Sequence, residues 1–152
     1  MSRWMYYNRL MLKTNEIPLS LYVHFPWCVK KCPYCDFNSH TLPSDLPAKA
    51  YVDALLSDVQ QHRDDVGGRL IHSVFMGGGT PSLFAPSLIT TLLTQLREIM
   101  PFAPHAEVTL EANPGATDAS YFAGFYEAGI TRLSIGVQSF NDHHLGLLGR
   151  IH

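Results

Sequence analysis

The stretch SLYVHFPWCVKKCPYCDFNSH, residues 20–40, joins an apolar run to every cysteine in the chain. Leu19 to Phe25 reads as a buried strand, which Pro26 ends because proline has no amide to give a ladder. Cys28, Cys32 and Cys35 follow in the spacing C-x3-C-x2-C, and there is no fourth cysteine. Three thiols cannot all pair as disulfides, and they are one short of a filled four-coordinate metal site. Thiols on a loop directly after a strand put chemistry at one edge of a sheet.

The same order, strand and then polar or glycine-rich loop, recurs along the chain. Pro47 sits where a helix can begin, and Val52, Leu55, Leu56 and Val59 have the spacing of an apolar helix face. Leu70 to Met76 is a second strand, broken by GGGTP at Gly77 to Pro81. Ile89, Leu92, Leu93 and Leu96 repeat the helical spacing, and Glu107 to Pro114 reads as a third strand. Thr117 or Asp118 is placed to cap a helix through Phe122, Phe125 and Tyr126, which Gly129 closes. Thr131 to Phe140 reads as a fourth strand, and NDHHLGLLGRIH starts a helix that runs to the last residue.

Strands alternating with helices predict an α/β fold with right-handed crossovers and a parallel sheet. Both a partial barrel and a doubly wound sheet fit the pattern, with the barrel favoured. In either, ligands bind at the carboxyl ends of the strands, so the four loops should converge on one site.

A 46% hydrophobic and 16% charged composition describes a globular chain, and its 152 residues suffice for one domain. A net charge of −2 gives no reason to expect a nucleic-acid or anionic-membrane partner. No apolar run approaches the ~20 residues of a membrane helix. The leading segment lacks the apolar core and cleavage site of a signal peptide, so a cytoplasmic location is expected. Residues 1–17 read as a tail, with Met5 and Met11 as alternative starts, and residues 18–152 as the core.

Several metals suit three clustered thiols. Structural zinc could be completed by His24 or His40, although such sites usually pair their ligands around two knuckles. A ferredoxin-type cluster takes four thiolates. An iron–sulfur cubane on three cysteines leaves one iron open to an exogenous ligand, where a substrate can chelate.

With Tyr34 as its aromatic, C-x3-C-x-aromatic-C resembles the signature of the radical S-adenosylmethionine (SAM) superfamily. SLYVHFPWCVKKCPYCDFNSH, GGGTPSL, EANPG, GVQSF and LGRIH together resemble its oxygen-independent coproporphyrinogen oxidase group, over residues 18–152. This implies the N-terminal portion of a partial (β/α)6 TIM-type barrel. It also implies a [4Fe–4S] cluster on Cys28, Cys32 and Cys35, with SAM on the open iron. In that family a reduced cluster passes one electron to the sulfonium, releasing methionine and a 5′-deoxyadenosyl radical.

The resemblance also implies SAM contacts from Tyr22, Tyr34, Gly78, Gly79, Thr80, Glu111, Gln138 and Arg150. Tyr34 would pack near the adenine, and the glycine turn would meet the methionine end. Gln138 and Arg150 match positions that, in the oxidases, contact a second SAM. The residues alone allow blander readings: Tyr22 as a barrel-wall aromatic, the glycines as a tight turn, and Glu111 as the ion-pair partner of Arg132. His62, His72 and His105 read as surface or packing residues, and His143 and His144 as facing solvent.

The oxidases resembling this chain carry a further cysteine just after the third ligand, where this chain has Asp36 and Phe37. That difference points to the heme-chaperone branch, and so to heme and a heme-acceptor protein as partners, besides an electron donor. Coproporphyrinogen III oxidation in heme biosynthesis is the alternative. The run of strand–helix units stops short of the roughly six expected of the barrel, so a truncated core, unstable by itself, is the expectation.

Overall fold

A computed structural model describes residues 17–116 and 119–150. The expectations placed on the tail, on the cap at Thr117 or Asp118, and on Ile151 and His152 lie outside those residues. Among the described residues, six strands and four α-helices follow in chain order: β1 (Leu19–Phe25), β2 (Trp27–Cys28), β3 (His40–Thr41), α1 (Ala48–Gln61), β4 (Ile71–Gly78), α2 (Pro86–Ile99), β5 (Phe102–Ala112), α3 (Ala119–Ala128), β6 (Arg132–Ile135) and α4 (Asp142–Leu147).

Strands β1, β4, β5 and β6 form one sheet in that order, every neighbouring pair parallel. Each crossover helix thus advances the sheet by one strand in a constant direction. A doubly wound sheet reverses its order at a switch point; this one steps onward as a barrel wall does. Helix α1 packs on α2, and α2 on α3, so the three crossovers cover the same face.

Side chains alternate across each strand, and the two faces are chemically different. Val23, Val74, Met76, Val108 and Leu110 face the helices and are buried with Val52, Leu56, Ile89, Leu92, Leu93, Leu96 and Phe125. All four residues read as the apolar stripe of α2 are buried, whereas α1 buries only Val52 and Leu56. On the opposite face the register aligns Tyr22, Phe75, Thr109 and Arg132 in one row. Glu111 and Ser134 pair one step nearer the strand ends. This second face is polar and lies toward the interior of the barrel wall.

Strand boundaries differ from those expected of the sequence most at three places. Strand β4 continues through Gly77 and Gly78, where the chain was expected to turn. Strand β5 begins at Phe102 rather than Glu107. Strand β6 ends at Ile135, well before Phe140. The alternation in IGVQSF mimics a strand, but Gln138 has φ 66°, and tight bonds from Val137 N–H to Ile135 O and from Ser139 N–H to Val137 O curl the segment. Strand β1 is buried only toward its end: Ser20 and Tyr22 are exposed.

The last helix is also shorter than expected. Asn141 caps α4 by accepting the His144 amide at 3.1 Å. Gly149, at φ 67°, then closes it, with its N–H on Gly146 O and the Arg150 N–H on Leu145 O. This is a Schellman ending, which the left-handed glycine makes possible, so Arg150 stands outside the helix.

Leu93 is fully buried in α2 while Tyr126 on α3 is 80% exposed. Leu93→Ala should therefore cost about 2–5 kcal/mol by chemical denaturation, and Tyr126→Ala about 0.5 kcal/mol or less. Equal losses would contradict this placement of the core.

Candidate functional site

The cysteine loop is held at its entrance by aromatic packing. Trp27 stands edge-on to Tyr51 of α1 at 4.8 Å, and Phe25 edge-on to Phe84 at 4.8 Å. Tyr51 also donates its hydroxyl to the His24 carbonyl at 2.8 Å. Backbone bonds then close the loop on itself: His40 N–H to Pro26 O at 2.6 Å, Leu42 N–H to Cys28 O at 2.7 Å, and Cys35 N–H to Cys32 O at 3.0 Å. Lys31 spans the loop by donating to the carbonyls of Phe37 (3.2 Å) and Ser39 (3.0 Å). All three cysteines are free thiols of intermediate burial.

The glycine turn at the end of β4 docks against that entrance. Gly79 N–H donates to Phe25 O at 2.6 Å, and Thr80 N–H to Trp27 O at 2.7 Å. A Cβ on Gly79 would stand 2.5 Å from Trp27 O and 2.7 Å from Phe25 O, closer than real Cβ atoms come. Gly78 has φ 107°, where a side chain is strained, and its Cβ would overlap the His24 ring. The sequence reading gave these glycines to close approach by a ligand; the structure shows that the approaching backbone is the chain's own.

Glu111 ends β5 beside this turn and accepts the Gly78 N–H at 3.1 Å. It does not pair with Arg132, whose Nε donates instead to Glu107 and Thr109, each at 3.0 Å. Its carboxylate thus faces the strand ends. His24 Nε2 lies 2.7 Å from Asn38 O and Nδ1 3.0 Å from the Tyr22 hydroxyl. A carbonyl can only accept, so Nε2 carries the proton and Nδ1 accepts from Tyr22. With both nitrogens committed, His24 is not available to complete a zinc site.

From the far end of the described chain comes Arg150. Its Nη1 donates to Cys32 Sγ at 3.4 Å and its Nη2 to Gly136 O at 2.6 Å. Tyr34 joins this group: burial and a bond to Cys32 push its hydroxyl pKa up, against the opposing pull of Arg150.

These parts enclose a cleft of about 270 Å³ at the carboxyl ends of the strands. Ten of the residues singled out from sequence line it: Cys28, Cys32, Cys35, Tyr34, Gly78, Gly79, Thr80, Glu111, Gln138 and Arg150. Tyr22 does not; it lies on the neighbouring polar face, stacked on Phe75 at 6.3 Å and tied to the site through His24. His62, His72, His105, His143 and His144 are all exposed. Trp27, Tyr51, Phe84, Lys31 and Ser39, which build the loop, escaped the sequence reading because each forms its contacts only after folding. A hollow of about 560 Å³ lies at the opposite end of the sheet, beside Gly67, Arg97 and Pro101, and gathers none of these residues.

Among the described residues, no three His, Cys, Asp or Glu side chains converge as one ion would require. A cluster asks for something else, one thiolate per iron at separate positions, and three thiols facing one cleft fit that demand. Two of them have side-chain partners, Cys32 with Arg150 and Cys35 with Ser39 Oγ at 3.8 Å. No helix among the described residues is long and apolar enough to cross a membrane.

A family model described as the radical SAM superfamily matches residues 22–152. The chain is 52% identical to the heme chaperone HemW of Haemophilus influenzae over 139 residues, which is 89% of this chain and 36% of that protein. Against HemW of Escherichia coli it is 51% identical, with the same coverage. A mitochondrial radical S-adenosyl methionine domain-containing protein 1 of Bos taurus is 43% identical over 88% of this chain and 30% of its own. Among solved structures, the coproporphyrinogen III oxidase HemN of Escherichia coli, a radical SAM enzyme, superposes with a TM-score of 0.82 at 31% identity. That match covers 100% of this chain and 35% of the oxidase. The chain thus spans 36% of the length of each of these two chaperones.

Burial, and after it the charge of Glu111, raise the Tyr22 pKa above 10.0. The folded state therefore favours the protonated phenol. Its contribution to stability is complete below the unfolded value and is lost as pH rises through the higher folded one. Subtracting a Tyr22→Phe titration from that of the wild type isolates this transition. Glu111→Gln should move it down toward 10.0; an unmoved midpoint would show that the carboxylate is not felt.

Proposed function

This chain belongs to the radical SAM superfamily, and from that membership we propose that it is the cluster- and SAM-binding part of a heme chaperone. The family implies a [4Fe–4S] cluster and SAM in general terms. The observation that carries the reading for these residues is the arrangement of Cys28, Cys32 and Cys35. They sit on one loop, without a fourth cysteine, at a cleft where four strand ends meet.

In this reading Cys28, Cys32 and Cys35 would each hold one iron of the cluster, and SAM would take the remaining one. When bound, the reduced cluster supplies one electron to the SAM sulfonium. The protein's own residues bind and orient. Gly78, Gly79 and Thr80 offer close-lying backbone from a turn locked onto the cysteine loop. The Glu111 carboxylate, anchored by a single amide, has capacity left for an ammonium or hydroxyl. Tyr34, half-exposed beside Cys32, presents a ring face to an adenine. Tyr22, outside the cleft lining, donates its hydroxyl hydrogen bond to His24 and so supports the site through that ring. Gln138 and Arg150 close the side nearest β6, where the family's second SAM would lie.

Two observations favour heme delivery over oxidation of coproporphyrinogen III. Asp36 and Phe37 follow Cys35, where the resemblance to the oxidases would imply another cysteine. The similarity to the chaperones, 52% and 51%, also exceeds the 31% to the oxidase. The partners proposed are heme, an acceptor protein for it, and an electron donor for the cluster, in the cytoplasm.

The test uses the full-length protein, reconstituted anaerobically with iron and sulfide and then reduced. Supplied with coproporphyrinogen III and SAM, it should form no vinyl groups, and supplied with heme it should bind it. Alanine at Cys28, Cys32 or Cys35 should abolish the cluster absorbance. Vinyl formation would overturn the chaperone reading in favour of the oxidase, and a cluster that survives loss of a cysteine would overturn the ligand assignment.

A further inference from the structure

Arg150 reaches the cysteine loop across 118 residues of sequence. Its course is fixed by the helix end rather than by its own flexibility: the Schellman bond holds its amide on Leu145 O. A Cβ on Gly149 would lie 3.0 Å from Pro33 Cδ, so the end of α4 rests directly on the residue after Cys32. From there the guanidinium forks, one nitrogen to the Cys32 sulfur at 3.4 Å and one to the Gly136 carbonyl at 2.6 Å.

The third nitrogen, Nε, is buried and has no partner among the described residues. Burying part of a cation with one donor unused is costly unless an anion offsets the charge. Neither bonded partner is an anion while Cys32 is a neutral thiol. As a metal-bound thiolate, Cys32 becomes a charged acceptor, and the contact becomes a charge-assisted hydrogen bond. Ser39 stands beside a second cysteine, with its one hydroxyl hydrogen shared between the Phe37 carbonyl at 3.5 Å and the Cys35 sulfur. It is 2% exposed, and its Oγ lies 3.8 Å from Cys35 Sγ.

We propose that Arg150 is a positioning residue that raises the reduction potential of the cluster through the Cys32 thiolate, with Ser39 acting more weakly through Cys35. This rests on the cluster reading above. It goes beyond the SAM contact implied for Arg150 by resemblance, because the side chain's partners here are a ligand sulfur and a strand-end carbonyl. A donor on the sulfur, with positive charge behind it, draws density from the thiolate. That favours the reduced cluster, which carries one more negative charge. Gly136 O keeps the fork aimed, so β6 and the cysteine loop are linked through one side chain.

Potentiometric titration of the full-length protein without SAM, followed by the electron paramagnetic resonance of the reduced cluster, tests this directly. Arg150→Gln should shift the reduced-to-oxidised ratio at fixed potential about tenfold toward the oxidised form, a fall of about 59 mV for one electron. Arg150→Lys, which keeps the charge but loses the fork, should fall between Gln and wild type, and Ser39→Ala should give a smaller decrease. A role confined to packing or to SAM would change the melting temperature or SAM affinity and leave the potential in place. An Arg150→Gln cluster at the wild-type potential therefore overturns the proposal. If that variant holds no cluster, wild-type potentials in both Arg150→Lys and Ser39→Ala overturn it equally. A wild-type protein that takes up no cluster overturns the underlying reading instead.

Discussion

Two backbone hydrogen bonds, Gly79 N–H to Phe25 O and Thr80 N–H to Trp27 O, join the end of one strand to the start of the cysteine loop. They require the chains to approach so closely that no side chain fits at Gly79. Because β1 and β4 are neighbours in the sheet, the same ladder that builds the fold continues into the site. The aromatic contacts of Trp27 with Tyr51 and of Phe25 with Phe84 press on this junction from the helix side. A loop with three thiols is thereby anchored at the strand ends by folding itself.

The division of the sheet into an apolar and a polar face places the rest. Val74, Met76, Val108 and Leu110 drive the helices onto one side. Tyr22, His24, Thr109, Glu111 and Arg132 are left on the other, where a hydrogen-bond network satisfies them. Arg132 is absorbed by Glu107 and Thr109, and this frees Glu111 for the glycine turn and the cleft. The terminal segment contributes Arg150 through a helix ending that owes its shape to Gly149. Every part of the cleft comes from a carboxyl end of a parallel strand or from a segment folded back onto one.

Much of this is legible in the sequence, for physical reasons. Apolar periodicity in α2 and the strand–loop order are local, and local patterns survive folding. The convergence of the cysteine, glycine, Glu111 and Gln138 loops follows from parallel topology alone. Other features were hidden because they depend on contacts distant in sequence. The apolar–polar alternation of IGVQSF does not reveal that Gln138 takes a left-handed φ. LGLLGRIH has the composition of a helix, and only the Schellman bonds show that it stops. The SAM contact expected of Tyr22 rests on resemblance alone, and the register stacks its ring on Phe75, outside the cleft lining. The chain leaves the strand two residues later than the glycine run suggests, and the need for glycine at Gly78 and Gly79 arises first from Phe25, Trp27 and His24.

On the proposed reading, this backbone junction shapes the cysteine loop for a metal cluster. That role is tested most directly by Gly79→Ala in the full-length protein, measuring iron and sulfide bound after anaerobic reconstitution together with the thermal melt. A Cβ forced against the Phe25 and Trp27 carbonyls should cost about 1–3 kcal/mol, and bound iron should fall well below the wild-type level. A Gly79→Ala protein that melts with the wild type and binds the same iron would contradict the account.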